Sequence, residues 1–212
     1  RDLIEIGTEY RYDAYDLFMR RTPPLVPRHL RFGVEERITA DGRVARPLDP
    51  DSVADVASRC AEEQVESVAI AFLHSYLNDR HERDARDLIS KRLPGVSVSV
   101  SSEVDPQIRE YPRISTTVAN ACVQPLVAEY LHDLEAQLVD LGISAPLLVF
   151  SSEGGTCSVE TARKYPVRLL ESGPIGGVTA ARTHGERIGW PDLLAFDMGG
   201  TTAKVSLTSQ GE

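Results

Sequence analysis

The chain has 212 residues, 42% of them hydrophobic and 26% charged, which suits one large or two small cored domains and excludes a disordered segment. Its 23 Lys and Arg against 32 Asp and Glu leave a net charge of −9, so it lacks the basic excess of a general nucleic-acid binder. The longest apolar runs, about seven residues, fall well short of the ~20 of a membrane helix, and the scattered Cys60, Cys122 and Cys157 offer neither a disulfide framework nor a zinc site.

No basic-then-apolar leader is visible, so the expected setting is cytoplasmic, with no membrane partner. The N-terminal stretch is rich in aromatics and turn formers: Tyr10, Tyr12, Tyr15 and Phe18, then Pro23, Pro24 and Pro27. It is expected to be an irregular connection packed on a surface. Residues 30–38 read as a strand, Asp41-Gly42 as a hairpin turn, and Val44 as the start of the return strand. Asp49 and Pro50 suit the N-cap and first position of a helix. Val53, Val56, Ala57, Cys60 and Ala61 recur at helical spacing and predict one buried face. Residues 67–73 are a continuous apolar run of strand length, as in a strand covered on both faces. Asn78 or Asp79 caps a second helix running to about Arg92. Val96, Val98 and Val100 alternate with serines, the period of a strand.

A helical region is predicted from Asp105-Pro106, interrupted at Pro112 and restarted at Pro125. Leu126, Tyr130, Leu134, Leu138 and Leu141 are its expected core stripe, and Gly142 ends it. Residues 141–145 are the expected linker. Beyond it come a strand at 146–151, a short helix at 158–164, a strand at 167–170 and a helix at 175–188. Strands at 193–196 and 203–207 flank a glycine turn. This alternation is the α/β pattern, and 147–150, 193–196 and 203–207 are expected in one sheet.

The strongest chemical feature is FDMGGTTAKVSL, where an apolar run meets Asp197, then Gly199, Gly200, Thr201 and Thr202. Outward N–H groups of a glycine loop can cradle phosphate oxygens, and the two hydroxyls can add to them. Asp197 can hold magnesium through water or orient a nucleophile. Without GxxxxGK, and with a strand following, the loop is no P-loop; its plain reading is a hairpin turn braced by Asp197. In ESGPIGGVTAA, Ser172 and Gly173 lead into a helix with Gly176 and Gly177, where free N–H groups favour an anion. The plain alternative is close packing of the glycines on the sheet. SSEGGT supplies a third strand-end loop with Gly154 and Gly155. Ligands of open α/β sheets collect at carboxyl ends of strands, so three such loops on one ligand is the specific expectation. His74 and His81 are expected at the surface or in caps, the cysteines as small buried hydrophobes, and Arg109, Glu110 and Arg113 as an ion-pair cluster.

In this order YDLF with PLVPRHLRFGVEERITADGRV, FLHSYLNDRHE, REYPRISTTVANACVQPLV, LLVFSSEGG, ESGPIGGV and FDMGGTTAK resemble the hydantoinase A and 5-oxoprolinase family. Its members include ATP-dependent N-methylhydantoinases, 5-oxoprolinases and subunits of acetone and acetophenone carboxylases. The resemblance implies actin- and sugar-kinase-like (ribonuclease H-like) α/β lobes with nucleotide between them. Residues 1–141 would be the C-terminal part of the first lobe with its connecting helix, and 142–212 the N-terminal part of the second with the phosphate loop. The family's opening DxGGTFTD loop is absent, so the chain resembles an internal piece of a longer subunit and is expected to be inactive alone.

The implied chemistry is ATP-dependent opening of a cyclic amide (a hydantoin, 5-oxoproline or lactam) by phosphorylation of the amide oxygen and attack of water. ATP and Mg2+ are the implied cofactors, and a hydantoinase B-type subunit the implied partner. Asp197 would be catalytic and handle the metal. Gly154, Gly155, Ser172, Gly173, Gly176, Gly177, Gly199, Gly200, Thr201 and Thr202 would line the nucleotide site. A ketone carboxylase subunit and a non-catalytic nucleotide-binding subunit are the rival readings. Two departures from the family pattern stand out: Glu153 replaces the Asn of SNGG, and Ala203-Lys204 replaces the TD of DMGGTSTD.

Overall fold

The computed structural model describes residues 2–8, 15–18 and 22–210. Tyr10 and Tyr12 lie outside the described residues, while Tyr15 and Phe18 face solvent rather than a packing surface. The chain forms two compact units that divide between Leu126 and Val127, inside a helix.

The first unit opens with the single turn α1 (Leu3–Ile6) and a 3-10 turn at Arg28–Leu30. The strand expected over 30–38 shrinks to β1 (Arg37–Ile38), which pairs antiparallel with β2 (Val44–Arg46). Only Ile38 of this pair is buried, so the extended pairing has little apolar drive behind it. The hairpin turn forms as predicted, with Gly42 at φ +79° and Thr39 donating its amide to the Arg43 carbonyl. Helix α2 (Pro50–Glu62) begins as the sequence dictates: the Asp49 carboxylate accepts from the Asp51 amide, and Pro50 needs no partner. Val53, Val56, Ala57 and Cys60 are buried, whereas Ala61 is not. Strands β3 (Ser67–Ile70) and β4 (Ser97–Val100) pair in parallel, joined by α3 (Arg80–Arg92). Val53, Ile70, Ala85 and Ile89 form the core where α2 and α3 cover one face of this ladder.

A buried polar network closes the carboxyl ends of β3 and β4. Glu82, 1% exposed, accepts from the Phe72 amide at 2.8 Å, the Ser101 hydroxyl at 2.6 Å and the Ser102 amide at 2.9 Å. Arg113 is fully buried and donates to the Phe72 and Gln107 carbonyls and to Ser101. The ion-pair cluster expected at 109–113 therefore does not form: Arg113 is spent on backbone carbonyls, and Arg109 is exposed. His81 is likewise no surface cap; it is 4% exposed and bonded through Nδ1 to Glu36 at 2.9 Å. Burial of Glu82 and Arg113 is tolerated because both carboxylate oxygens and all three guanidinium nitrogens find partners. Of the cysteines only Cys60 is buried; Cys122 is exposed and Cys157 half-buried.

After the short α4 (Ser101–Val104), α5 (Glu110–Asp140) runs unbroken for 31 residues. The breaks expected at Pro112 and Pro125 do not occur. Pro112 lies in the first turn, where no intrahelical amide bond is lost, and Pro125 is carried inside the helix. The expected core stripe is also corrected. Leu126, Tyr130 and Leu141 are exposed, and the second unit's core is Leu131, Val159 and Ala162 with Val127 and Leu134 beside them. Gly142 ends α5 at φ +75°; its amide bonds Val139 and that of Ile143 bonds Leu138, a Schellman close.

In the second unit β5 (Leu148–Phe150) pairs antiparallel with β6 (Thr156–Ser158), and Ser158 caps α6 (Val159–Lys164). The strand expected at 167–170 is instead a 3-10 turn, Pro166–Leu169, because Pro166 favours the turn's first position. Helix α7 (Ser172–Ile188) starts three residues earlier than expected, so Ser172, Gly173 and Pro174 are its first turn. It packs on the antiparallel pair β7 (Leu193–Met198) and β8 (Ala203–Thr208). Among the described residues the sheet expected to unite 147–150, 193–196 and 203–207 is two separate ladders, β5–β6 and β7–β8. The mixed α/β class stands; the shared sheet does not, because α7 rather than strand pairing links the two ladders.

Candidate functional site

Helix α7 organises the sequence's three glycine loops. Its C-terminal half lies against the start of β7: a Cβ on Gly185 would fall 2.3 Å from Leu193 Cδ2 and 2.6 Å from the Trp190 carbonyl oxygen. Eight residues earlier, the Cβ position of Gly177 is 3.9 Å from the Asp197 carboxylate, near the end of β7. Eight helical residues and four strand residues both span roughly 12–13 Å, so α7 and β7 run antiparallel, side by side. The start of α7, at Ser172 and Gly173, therefore projects toward the end of β7 that carries the turn 199–202.

The β5–β6 turn comes to the same end of α7. Gly176 packs 3.6 Å from the Phe150 ring, the last residue of β5, and Gly154 lies beside Ile175 and Thr179. Gly154 is at φ +85°, which suits glycine; its amide bonds the Ser151 carbonyl. Gly155 closes the loop by accepting the Ser151 amide at 2.8 Å. Glu153 stands 3.8 Å from Arg168, and Ser152 donates its amide to the Arg168 carbonyl. The Ser152 hydroxyl is buried without a hydrogen-bond partner, an unmet group in a polar loop.

The turn 199–202 is tighter than a fully outward nest. Gly199 donates its amide to the Thr202 carbonyl at 3.0 Å, and the Thr201 and Thr202 hydroxyls are 3.4 Å apart. Asp197 therefore does not brace the turn through the Gly199 amide. Its carboxylate is exposed and has no ion pair among the described residues. Neither Gly199 nor Gly200 has a left-handed φ, and a Cβ at either would meet open space. The same holds for Gly155 and Gly173. Nothing inside the described chain requires glycine at these four positions.

Sequence reasoning missed Glu171 in this region and noted Lys204 only as a departure from the family pattern. Glu171 precedes α7 at φ +62°, an unusual conformation for a residue with a long side chain, and provides no side-chain cap. The first-turn amides of α7 thus keep their anion-attracting character. Lys204, the cross-strand partner of Asp197, stands 3.9 Å from Glu171. Both charges line a cavity of about 670 Å³ with Pro174, Gly177, Asp197 and Ser206. No sequence signal marks Glu171, because a left-handed backbone is ordinarily signalled by glycine or asparagine rather than glutamate. Gly176 and Gly177 face the ladders in ordinary van der Waals contact, which is the packing reading of those two residues.

A metal cage is not present among the described residues: no group of three or more His, Cys, Asp or Glu is placed to hold an ion. One free carboxylate beside uncommitted helix amides does fit a magnesium ion carried in on phosphates, since Mg2+ keeps most of its waters and takes one or two carboxylates. No helix of the described residues is long and apolar enough to cross a membrane.

Comparison with known proteins supplies the family. The hydantoinase/oxoprolinase N-terminal region model matches residues 1–93, and the hydantoinase/oxoprolinase model matches 113–212. The chain is 35% identical over 212 residues to the caprolactamase subunit alpha of Pseudomonas jessenii, covering 99% of this chain and 30% of the relative. It is 34% identical to the acetone carboxylase beta subunit of Xanthobacter autotrophicus, covering 100% of this chain and 28% of that protein. A crystal structure of the ATP-dependent caprolactamase from Pseudomonas jessenii superposes with a TM-score of 0.87 at 36% identity, over 97% of this chain and 30% of that one. The nucleotide-free acetone carboxylase structure superposes with a TM-score of 0.81 at 34% identity, over 91% of this chain and 28% of that one. The chain thus spans about 30% of the length of these relatives, and it belongs to the hydantoinase/oxoprolinase family.

Proposed function

We propose that the protein containing this chain opens a cyclic amide at the expense of ATP, and that the α7 end of the second unit holds the nucleotide's phosphates. The observation that carries this reading is a set of unmet groups at one end of α7. They are the uncapped first turn of the helix, the orphaned Ser152 hydroxyl, and the free Asp197 carboxylate beside Gly177. The four glycines that the chain's own packing does not require give a phosphate group room to approach the backbone.

ATP, when bound, supplies a phosphoryl group for the amide oxygen and so opens the C–N carbon to water. The residues of this chain position it. The Ser172 and Gly173 amides and the helix dipole attract the phosphates. Thr201 and Thr202 add hydroxyl donors at the turn. Asp197 would hold a magnesium ion through its waters, and Lys204, beside Glu171, would meet the phosphates in the same cavity. Both solved relatives are ATP-dependent, one in caprolactamase activity and the other in acetone carboxylation. A second reading, ATP-dependent ketone carboxylation, rests on the acetone carboxylase likeness.

Because relatives are named as subunits alpha, beta and gamma, the assay uses the full-length protein co-expressed with its partner subunit. ADP release is measured with caprolactam, 5-oxoproline, hydantoin, or acetone plus bicarbonate. ADP release coupled to ring opening supports the amide reading. Release with acetone and bicarbonate alone replaces it with the carboxylase reading, and no substrate-dependent release overturns both. The 212-residue chain alone is expected to show no turnover.

A further inference from the structure

We propose that the carboxyl end of the β3–β4 ladder binds a small planar amide, with His74 and Ser102 as hydrogen-bonding groups and the Tyr76 ring as a wall. Ligands of parallel strands gather at the carboxyl ends, which singles out this end of the first unit. The chain leaves the ladder twice there, after Ile70 and after Val100.

Each exit carries a polar atom with nothing to bond. His74 Nδ1 and the Ser102 hydroxyl are two of the four buried side-chain polar atoms without a hydrogen-bond partner among the described residues. As whole residues both are only half-buried, so the two atoms lie just beneath the surface. Buried polar atoms are nearly always bonded, so two unmet ones at one strand end call for a partner that the chain does not supply. Uncommon backbone geometry gathers at the same end. Among the described residues five non-glycines hold a left-handed φ, and two of them, His74 at +58° and Arg109 at +83°, flank it. Such conformations persist where the surroundings over-determine them, and they cluster at ligand sites.

The surroundings here are the buried polar network. Glu82 grips both exits, one oxygen on the Phe72 amide and the other on the Ser102 amide. Ser75 and Ser101, the neighbours of His74 and Ser102, meet Oγ to Oγ at 3.2 Å. Arg113 donates to the Phe72 and Gln107 carbonyls and so ties the first exit to the segment before α5. Its guanidinium carbon stands 5.5 Å from the Tyr76 ring centroid, and the His74 ring meets that of Tyr76 edge-on at 6.3 Å. Buried charges of this kind are weak sources of stability. They do lock the two unmet groups and the tyrosine in place, as a binding site requires.

The ligand's chemistry follows from the groups left over. A serine hydroxyl both donates and accepts, and a neutral imidazole nitrogen does one or the other according to tautomer. The pair matches a ligand that offers an acceptor and a donor together, as an amide does through its C=O and N–H. A phosphate would call for a cation, whereas the buried Arg113 is spent on carbonyls. The Tyr76 ring suits the flat face of the amide. That this amide is the cyclic substrate rests on the function proposed above; the site itself lies in the first unit, and its test needs no turnover.

The test is calorimetric titration of caprolactam, hydantoin and 5-oxoproline into the full-length protein, co-expressed with its partner subunit and with ADP present. ADP affinity is measured alongside. At least one amide should bind the wild type. Ser102→Ala and His74→Gly should each weaken that binding about fivefold or more, the worth of one hydrogen bond, with ADP affinity unchanged. His74→Asn should restore most of the loss. Asn and Gly both tolerate a left-handed backbone, and only Asn returns a hydrogen-bonding atom. Unchanged amide affinity in Ser102→Ala and His74→Gly overturns the proposal, and so does a His74→Asn variant no better than His74→Gly. A wild type that binds ADP but no amide overturns it while the nucleotide reading stands. Amide binding with this variant pattern in a protein that binds no ADP keeps the site and removes the nucleotide reading.

Discussion

At the residue scale the glycines separate into two kinds. Gly185 is required by packing: a Cβ there would lie 2.6 Å from the Trp190 carbonyl oxygen, a backbone atom that cannot swing away. Gly185→Ala should lower stability by about 1–3 kcal/mol, the usual cost of overpacking, as read by urea unfolding. Gly199 meets open space at an ordinary φ, so Gly199→Ala should leave stability unchanged or raise it by up to ~1 kcal/mol while ATP turnover in the full-length protein falls. Equal stability losses in the two variants would contradict the distinction. Asp197 is likewise separable from the turn, since the Gly199 amide is satisfied by Thr202. In the full-length protein Asp197→Asn should reduce magnesium-dependent ATP hydrolysis by roughly a hundredfold or more with its melting temperature preserved. Near-normal turnover would remove Asp197 from the mechanism. The sequence marked Asp197 and the glycines by their position after apolar runs, yet it held no sign of the orphaned Ser152 or the left-handed Glu171. Those states depend on neighbours distant along the chain.

At the scale of elements, local rules were obeyed wherever the energetics are local. The Asp49 cap, the Pro50 first position, the Gly42 turn and the Gly142 close all involve groups within a few residues of one another. Helix α5 is where the local rule failed. Pro125 cannot donate to the carbonyl four residues earlier and crowds it, yet the helix continues because packing at Val118, Ala121 and Leu131 holds it on either side. Pro125→Ala should therefore raise stability by about 1–3 kcal/mol and increase helical circular dichroism. A fall in stability would show that the proline ring contributes more through its contacts than it costs the backbone. The same helix shows why its buried face was misread. Leucines at helical spacing identify an apolar stripe, but the side chosen here is the one that meets α6 through Leu131, Val159 and Ala162.

For the molecule as a whole, surface area is the informative quantity. The chain's behaviour in solution follows from apolar area that the described residues leave uncovered. The outer face of β7–β8 contributes directly: Leu194, Phe196, Met198, Val205 and Leu207 are each more than half exposed. Cross-strand register stacks Leu194 on Leu207 and Phe196 on Val205, so the exposure is a contiguous patch. The 212-residue chain should accordingly enhance the fluorescence of an apolar dye such as ANS. The double substitution Leu194→Lys, Leu207→Lys should lower that signal and raise solubility without changing the far-ultraviolet spectrum. Unchanged dye binding in the double variant would place the exposed apolar surface elsewhere.

By itself the sequence determined the α/β alternation, the caps and turns that bound most helices, and the glycine loops that follow the strands. Its motifs also carried the family resemblance. These follow from hydrophobic period, glycine and proline stereochemistry, and hydrogen bonds that close within one turn of chain. The tertiary structure alone decided which strands pair, which face of α5 is buried, and that Arg113 and His81 end inside the first unit rather than at its surface. It alone aligned the start of α7 with the end of β7. Those outcomes depend on contacts between residues tens of positions apart, whose partners no local pattern specifies.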